Sequence, residues 1–281
     1  MIKNISNYIS LPLVIAGFFM MTSSSVFAQN KLIQKLWDSF SAPTGIAEDS
    51  EGAIYVTNWS GGTVEKIEMT GKRTVMTEGI RSPAGIAVDS DGAVYIASYS
   101  GDSIIRITQD GEKTIIADGL STPTGITLTG RNSLLVTNRS SGDVLEIDLA
   151  TGNRTIRASH LSLPVGVVEM PDKSLVISQY GGRVTRVMHD GRKQEFGKDF
   201  LRPGVGIIPD GEEAVIVVDN GDSTIKRVSF DAQEPPVLTD TADGIVALMQ
   251  RRNGQILFAC WSNGSVYSLQ KEDITARNKD Y

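Results

Sequence analysis

Two sets of positions, spaced about forty residues apart, carry side chains from which a site could be assembled. The first is Asn58, Ser98, Asn138, Ser178, Asp219 and Cys260. One residue further along come Trp59, Tyr99, Arg139, Gln179, Asn220 and Trp261, with Tyr180 beside Gln179. Amides, one carboxylate, one guanidinium and several aromatic rings are what a glycan, a peptide or a small polar ligand requires. Rings bring contact area at low entropy cost, and amides bring directional hydrogen bonds. The same residues also have a plainer use. Strand-end Asn and Ser often bond their own turn backbone, and Trp or Tyr packs between sheets. Repeat position alone accounts for any single member. Taken together, the two sets favour binding.

Other chemistries find little support in the chain. There are two histidines, and neither falls in these sets: His160 precedes a connection between repeats, and His189 precedes an Asp190-Gly191 turn. A Gly-x-Ser-x-Gly elbow, a phosphate loop, a cysteine pair and a His-x-x-x-His spacing are all absent from the sequence. Cys260 is the only cysteine, so no disulfide can form within the chain. Its setting, Leu257-Phe258-Ala259-Cys260-Trp261, suits a small buried apolar residue. A net charge of -6, with no basic cluster beyond pairs such as Arg251-Arg252, argues against nucleic acid. Three triplets, Asn58-Trp59-Ser60, Asn138-Arg139-Ser140 and Asn263-Gly264-Ser265, fit the glycosylation pattern, as short triplets in a turn-rich chain readily do.

What must position these residues is a repeat. SAPTGIAEDSEGAIYVTNWSGGTVEKIEMTG (Ser41 to Gly71) returns at Ser82 to Gly111 and again at Thr122 to Gly152. A glycine inside the first strand signal falls at Gly45, Gly85, Gly125, Gly166 and Gly206, and Gly244 is assigned to the sixth copy, giving steps of 40, 40, 41, 40 and 38. Within the second copy, Gly85 to Val88 reads as a strand, and Asp89-Ser90-Asp91-Gly92 as a turn. Ala93 to Ala97 is a β-branched and aromatic run. Ile104 to Ile107 follows, then an Asp110-Gly111 hairpin turn and Lys113 to Ala117. Proline begins the next copy, where it suits a connection and not a central strand. Four antiparallel strands per repeat of about forty residues define a blade, and six such repeats define an all-β, six-bladed β-propeller. No window shows the 3.6-residue apolar period of a helical repeat.

The ends of the chain have different jobs. Lys3, the mostly apolar stretch Ile9 to Met21 and the small-x-small triplet Val26-Phe27-Ala28 form an export signal over residues 1–28, cleaved after Ala28. That apolar stretch is too short to span a bilayer as a helix. One domain, residues 29–281, remains, with repeats starting near residues 41, 82, 122, 163, 203 and 241. The product is expected in a periplasm or outside the cell, with no membrane span in the mature chain. Phe40 aligns with Ile80, Leu120, Leu161 and Phe200, each three residues before its proline, so Leu32 to Trp37 matches a fourth strand without its first three. The sixth copy ends after its third strand, near Leu269. The amino-terminal strand is therefore expected to complete the last blade and hide two sheet edges. Loss of residues 29–38 should be far more damaging than loss of the last eight. Phe230 to Thr239, with Pro235-Pro236, is expected to be an irregular outer strand.

The recurring Pro-x-Gly-[Ile/Val] followed by Gly-x-[Val/Ile]-Tyr-[Val/Ile]-x-[Asn/Ser] resembles the NHL repeat. It is also similar to the wider six-bladed group of gluconolactonase-like, strictosidine-synthase-like and streptogramin-lyase-like propellers. The resemblance covers Lys31 to about Leu269. It implies that the face carrying both residue sets holds the ligand, which here would be a small polar molecule, a glycan, a peptide or an envelope protein. It also implies an alternative: a metal-dependent hydrolase of the gluconolactonase type. In that group a Glu/Asn/Asp set holds one divalent cation, such as Ca2+, over the pore. Asp219, in Val217-Val218-Asp219-Asn220, matches the aspartate position, and Asn138 and Asn58 are the remaining candidates. The group's Pro-Asn-Gly is absent here, since Thr44, Ala84, Thr124, Val165, Val205 and Asp243 precede the glycines, and no glutamate candidate is present.

Overall fold

A computed structural model describes residues 33–196, 200–231, 237–240 and 243–270. The expected export signal and the last eight residues lie outside these. The described chain folds into six four-stranded antiparallel sheets. Blade one runs Pro43–Glu48, Ile54–Asn58, Thr63–Ile67 and Arg73–Thr77 from the axis outward. Blade two is Pro83–Val88, Val94–Ser98, Ser103–Ile107 and Lys113–Ala117; blade three is Pro123–Leu128, Ser133–Asn138, Asp143–Asp148 and Arg154–Ala158. Blade four is Pro164–Glu169, Leu175–Gln179, Arg183–Val187 and Lys193–Phe196; blade five is Pro203–Pro209, Ala214–Asp219, Thr224–Ser229 and Val237–Asp240. Blade six consists of Ile245–Gln250, Ile256–Cys260 and Ser265–Leu269, with Gln34–Trp37 as its outer strand. Among the described residues, no helix is long and apolar enough to cross a membrane.

The closing strand pairs antiparallel with the third strand of blade six, Gln34 against Ser268 and Lys35 against Tyr267, with a bulge before Trp37. Phe40 N–H then donates to the Gly264 carbonyl, as Ile80 does to Gly62, Leu120 to Asp102 and Leu161 to Gly142. The amino-terminal strand therefore behaves as an ordinary fourth strand, as its alignment predicts.

Every residue of every second strand is buried. Both faces of each sheet are covered by neighbouring blades, so these strands read as continuous apolar runs and not as alternation. The core is accordingly divided among the blade interfaces. One cluster joins Tyr55 and Val64 of blade one to Ile96 and Ile107 of blade two. Equivalent clusters fill the other five junctions, including that between Val266 of blade six and Val56 of blade one. Turns at the far end of the first strands are closed by side chains. Asp49 Oδ1 accepts the N–H groups of Glu51 and Ala53, both at 2.9 Å, and its Oδ2 accepts the Tyr55 hydroxyl at 2.9 Å. Asp89 repeats this with Asp91, Ala93 and Tyr95.

Near the axis the inner strands of adjacent blades touch through backbone. A Cβ on Gly45 would lie 2.3 Å from the Ala84 carbonyl oxygen, and one on Gly125 would lie 2.3 Å from that of Val165. Gly85, Gly166 and Gly206 meet the next blade in the same way. The sixth member of this series is Ala247, paired opposite Ala259 as Gly45 is opposite Thr57, and not Gly244 as the repeat count predicts. The 38-residue step was a misalignment. Gly244 occupies the position just before the first strand, where φ is positive: 79° at Gly244, against 55° at Ala42 and 54° at Leu163. Its glycine serves that strained position and not the axial contact.

Candidate functional site

The residue that follows each second strand is held by one repeated backbone bond. Trp59, Tyr99, Arg139, Tyr180, Asn220 and Trp261 each donate their N–H to the carbonyl just before the first strand of their own blade, at Ala42, Ser82, Thr122, Leu163, Arg202 and Gly244. This anchor fixes six side chains around the channel mouth, one from each blade. They enclose a cup of about 180 Å³. Its floor is made by the start of the inner strands, including Thr44, Thr124, Val165 and Val205. Val205 also lines the larger axial cavity of about 340 Å³ that opens towards the other face.

The wall of the cup is continuous on one side. Trp59 and Tyr99 pack with ring centroids 4.7 Å apart and planes tilted by 55°. Arg139 Nη1 donates to the Tyr99 hydroxyl at 3.0 Å, and its guanidinium lies 5.1 Å from the Tyr180 ring centroid. Opposite them, Asn220 Nδ2 donates to the Ile245 carbonyl at 2.9 Å, which ties blade five to blade six at the rim. Trp261 stands 49% exposed. Among the described residues, no Asp, Glu, His or Cys lines the cup.

Blade four departs from the sequence expectation by one residue. Gln179, not Ser178, ends the second strand, so Gln179 joins the strand-end set and Tyr180 the mouth set. Blades three and four are 41 residues apart, and counting forty from Asn138 lands one position short. Ser178 instead donates to the Gly204 carbonyl of the next blade at 2.8 Å.

The strand-end set does not face the cup. Asn58 Oδ1 accepts Ser41 N–H at 2.9 Å while its Nδ2 donates to Thr63 and Glu65. Asn138 accepts Ser121 N–H and donates to Ser141, and Gln179 accepts Ser162 N–H and donates to Thr185. Ser98 donates to the Arg81 carbonyl at 3.1 Å. Each of these side chains latches its sheet to the loop arriving from the previous blade. Their placement as ligand-facing residues is therefore corrected: alternation along the strand sends them into the blade, where burial demands hydrogen-bond partners. Asn58 and Asn138 are 1% and 6% exposed, which also buries the acceptor asparagine of two of the three glycosylation triplets. Cys260 takes the same position in blade six, wholly buried, and burial together with the Asp243 charge pushes its thiol up to about 12.

Asp219 is the charged version of the latch. Its carboxylate accepts Leu201 N–H and Arg202 N–H, both at 2.8 Å, Gly221 N–H at 3.1 Å and Lys226 Nζ at 2.8 Å. Lys226 also bonds Asp222 at 2.5 Å and lies 4.9 Å from the Phe200 ring centroid. Burial works against its charge, but the hydrogen bonds it donates to Asp219 and Asp222 outweigh this and hold its pKa above the ordinary lysine value. A cation at this place would have to displace an ammonium ion and compete with three backbone donors. Asp219, Asn138 and Asn58 belong to three different blades, each turned into its own latch. The residues present do not fit a shared divalent ion. Among the described residues, no group of three or more His, Cys, Asp or Glu side chains is placed to hold a metal. His160 is exposed on a crossover loop, with Nδ1 2.9 Å from the Ser159 hydroxyl, and does not line the cup.

No protein-family model matches the sequence, and no curated protein does. Solved structures share the architecture. Virginiamycin B lyase from Staphylococcus aureus is 20% identical over 86% of each chain, with a TM-score of 0.66. A gluconolactonase from Xanthomonas campestris is 16% identical, covering 88% of this chain and 92% of its own, with a TM-score of 0.74. A chain of a nidogen/laminin complex is 22% identical, covering 69% and 78%, with a TM-score of 0.62. At these identities the likeness establishes a six-bladed propeller, and function has to be argued from the site.

Proposed function

We propose that the chain is an exported binding module that takes a small polar ligand, or a protruding group of a peptide, glycan or envelope protein, into the cup at the channel mouth. The observation that carries this reading is the convergence of six partly exposed side chains, one per blade, around a hollow of about 180 Å³. Aromatic faces, a guanidinium and an amide are left open there, while the neighbouring polar ring is consumed by the fold. Two similar propellers fit the idea in kind: a Staphylococcus aureus virginiamycin B lyase was solved with quinupristin, and nidogen with laminin. Export rests on Lys3, the Ile9 to Met21 stretch and Val26-Phe27-Ala28. A mature amino terminus at Gln29 in the exported fraction, read by mass spectrometry, is its check.

The hydrolase alternative centred on Asp219 draws no support from the geometry, because that carboxylate is closed off by Lys226 and three N–H groups. Tryptophan fluorescence tests the binding reading directly. Trp59 and Trp261 line the cup, whereas Trp37 lies on the closing strand, so a Trp37→Phe background isolates the signal. Ligands from a panel of sugars, short peptides and small polar acids should perturb this emission. Trp59→Ala and Tyr180→Ala should abolish the response with the melting temperature retained. Binding that no cup variant weakens, or lactone hydrolysis lost in Asp219→Asn with the fold intact, would overturn the reading.

A further inference from the structure

The charge arrangement of the cup narrows its ligand, on the footing that the cup is the binding site. We infer that the cup recognises an organic carboxylate carrying one flat apolar ring, with Arg139 taking the carboxylate and the aromatic wall taking the ring.

The argument starts from what Arg139 lacks. Its guanidinium offers five N–H donors in a rigid fork. Among the described residues it has one hydrogen-bond acceptor, the Tyr99 hydroxyl at 3.0 Å, and no carboxylate pairs with it. Elsewhere in this acidic chain partly buried arginines sit beside a carboxylate: Arg157 pairs with Glu146, Arg227 with Asp210 and Arg251 with Glu48, and Arg106 bonds the Tyr95 hydroxyl that itself donates to Asp89. Arg139 is half-buried as well, yet it faces a cup that no acidic side chain lines among the described residues. Hydrogen bonding to Tyr99 on one side and a cation–π contact with Tyr180 on the other restrain the fork, so little entropy is lost when it grips a ligand. A planar fork held this way matches a carboxylate with two parallel hydrogen bonds.

Size and surface supply the second half. A cup of about 180 Å³ is smaller than the roughly 300–1,000 Å³ of pockets that enclose drug-sized molecules. It suits one ring and one headgroup. Tyr99 and Tyr180 beside the guanidinium, Trp59 packed on Tyr99, and Trp261 in the same lining offer flat apolar faces for a ring bonded close to the acid. A free aromatic acid and the carboxyl-terminal aromatic residue of a peptide present the same chemistry, and they can be told apart.

The test compares acids with neutral amides of the same shape. Titrate 3-phenylpropionate and 3-phenylpropionamide into the Trp37→Phe protein, then N-acetyl-glycyl-phenylalanine and its carboxyl-terminal amide. The acid should bind at least about tenfold more tightly than its amide, the gap expected for a charge-assisted bidentate contact. A stronger response from the peptide pair would identify a chain terminus as the source, and from the phenylpropionate pair a free acid. Arg139→Met should erase the acid preference, bringing acid binding down to the level of the amide with the melting temperature retained, while Arg139→Lys should keep part of it. Equal binding of acid and amide to the unaltered cup, or an equal loss of both in Arg139→Met, would overturn the carboxylate assignment and leave the cup as a binding site. Absence of binding by every probe at millimolar concentration would overturn both.

Discussion

Replacing Asp219 by Asn while keeping Lys226 should damage the fold more than replacing both. Asp219 is fully buried and the Lys226 side chain is 4% exposed. Breaking such a pair from one side leaves Lys226 with Asp222 as its remaining carboxylate and strips the buried ammonium of its closest enclosed counter-charge, at a cost of up to about 3–5 kcal/mol. For a chain of this length that corresponds to a fall in melting temperature of roughly 6–20 °C. Blade three shows how the same position works without charge. Asn138 occupies the latch there, and Leu145 stands seven residues on, opposite Val136, as Lys226 stands opposite Val217. The double variant Asp219→Asn/Lys226→Leu transplants that solution into blade five. Asn would still accept a loop N–H, as Asn138 does from Ser121, and Leu would meet the Phe200 ring.

An apolar replacement of a buried pair is often neutral, so the double variant should lie within about 1.5 kcal/mol of the unaltered protein. Lys226→Leu alone should cost less than Asp219→Asn, because three N–H groups still serve the remaining carboxylate. Urea unfolding followed by circular dichroism measures all four proteins. The coupling energy should be about 2–3 kcal/mol. Additive single effects, or an Asp219→Asn cost below about 1 kcal/mol, would refute the latch and reopen Asp219 as a functional group. The hydrolase reading forecasts the opposite pattern: an intact fold with activity lost.

Gly125→Ala would place a Cβ 2.3 Å from the Val165 carbonyl oxygen; backbone must move, and a loss of about 1–3 kcal/mol or more should appear as a lowered melting temperature. Deleting residues 29–38 removes the strand paired with Ser265–Leu269 and exposes that edge, so light scattering should show aggregation, and an unchanged monomeric melt would count against ring closure. Cys260 is fully buried with its thiol pushed up to about 12, so it should ignore a disulfide reagent until denaturant is added; rapid labelling of the native protein would contradict that burial. Three carboxyls should govern acid sensitivity. Burial pushes those of Asp49 and Glu146 up, but hydrogen bonds with Ala53 N–H and Tyr55, and with Ser133 and Arg157, leave both below their ordinary values, while Arg131 lowers Glu169. Depressed carboxyls stabilise the fold above their ordinary values of 3.8 and 4.5 and lose that contribution as the pH falls through the lower folded-state values. The urea midpoint should therefore drop as the pH goes below about 4.5, and a midpoint that stays level down to pH 3 would contradict the assignment.

Most of the architecture was legible because each blade writes its own punctuation. Asp49 and Asp89 announce the same turn, and Pro43, Pro83, Pro123, Pro164 and Pro203 start five of the six inner strands. Blade six lacks that proline and begins at Ile245. Without the marker, the nearest glycine in the sequence falls at Gly244, yet Gly244 answers to a positive φ and Ala247 to the blade contact. The amino-terminal strand was legible for a different reason. Phe40 keeps the spacing to Pro43 that Ile80 keeps to Pro83, and that spacing is what the loop bonds to Gly264 and Gly62 require.

Facing direction was the part composition could not supply. Asn58 and Trp59 are adjacent, both suited to ligands, and only one reaches the cup. The choice is made by backbone: the N–H of Trp59 is tied to the Ala42 carbonyl, which turns its side chain to the axis and sends that of Asn58 back to Ser41 N–H. A trace of this does lie in the sequence. Asn58, Asn138 and Gln179 each sit seventeen residues after a serine whose N–H they accept, at Ser41, Ser121 and Ser162. Where such a pairing repeats from blade to blade, the polar residue is serving the scaffold. The variable residue beside it, Trp, Tyr, Arg or Asn by turns, is free of that duty. Variation at a position whose backbone is held constant is what a binding surface needs, since chemistry can change there without cost to the ring.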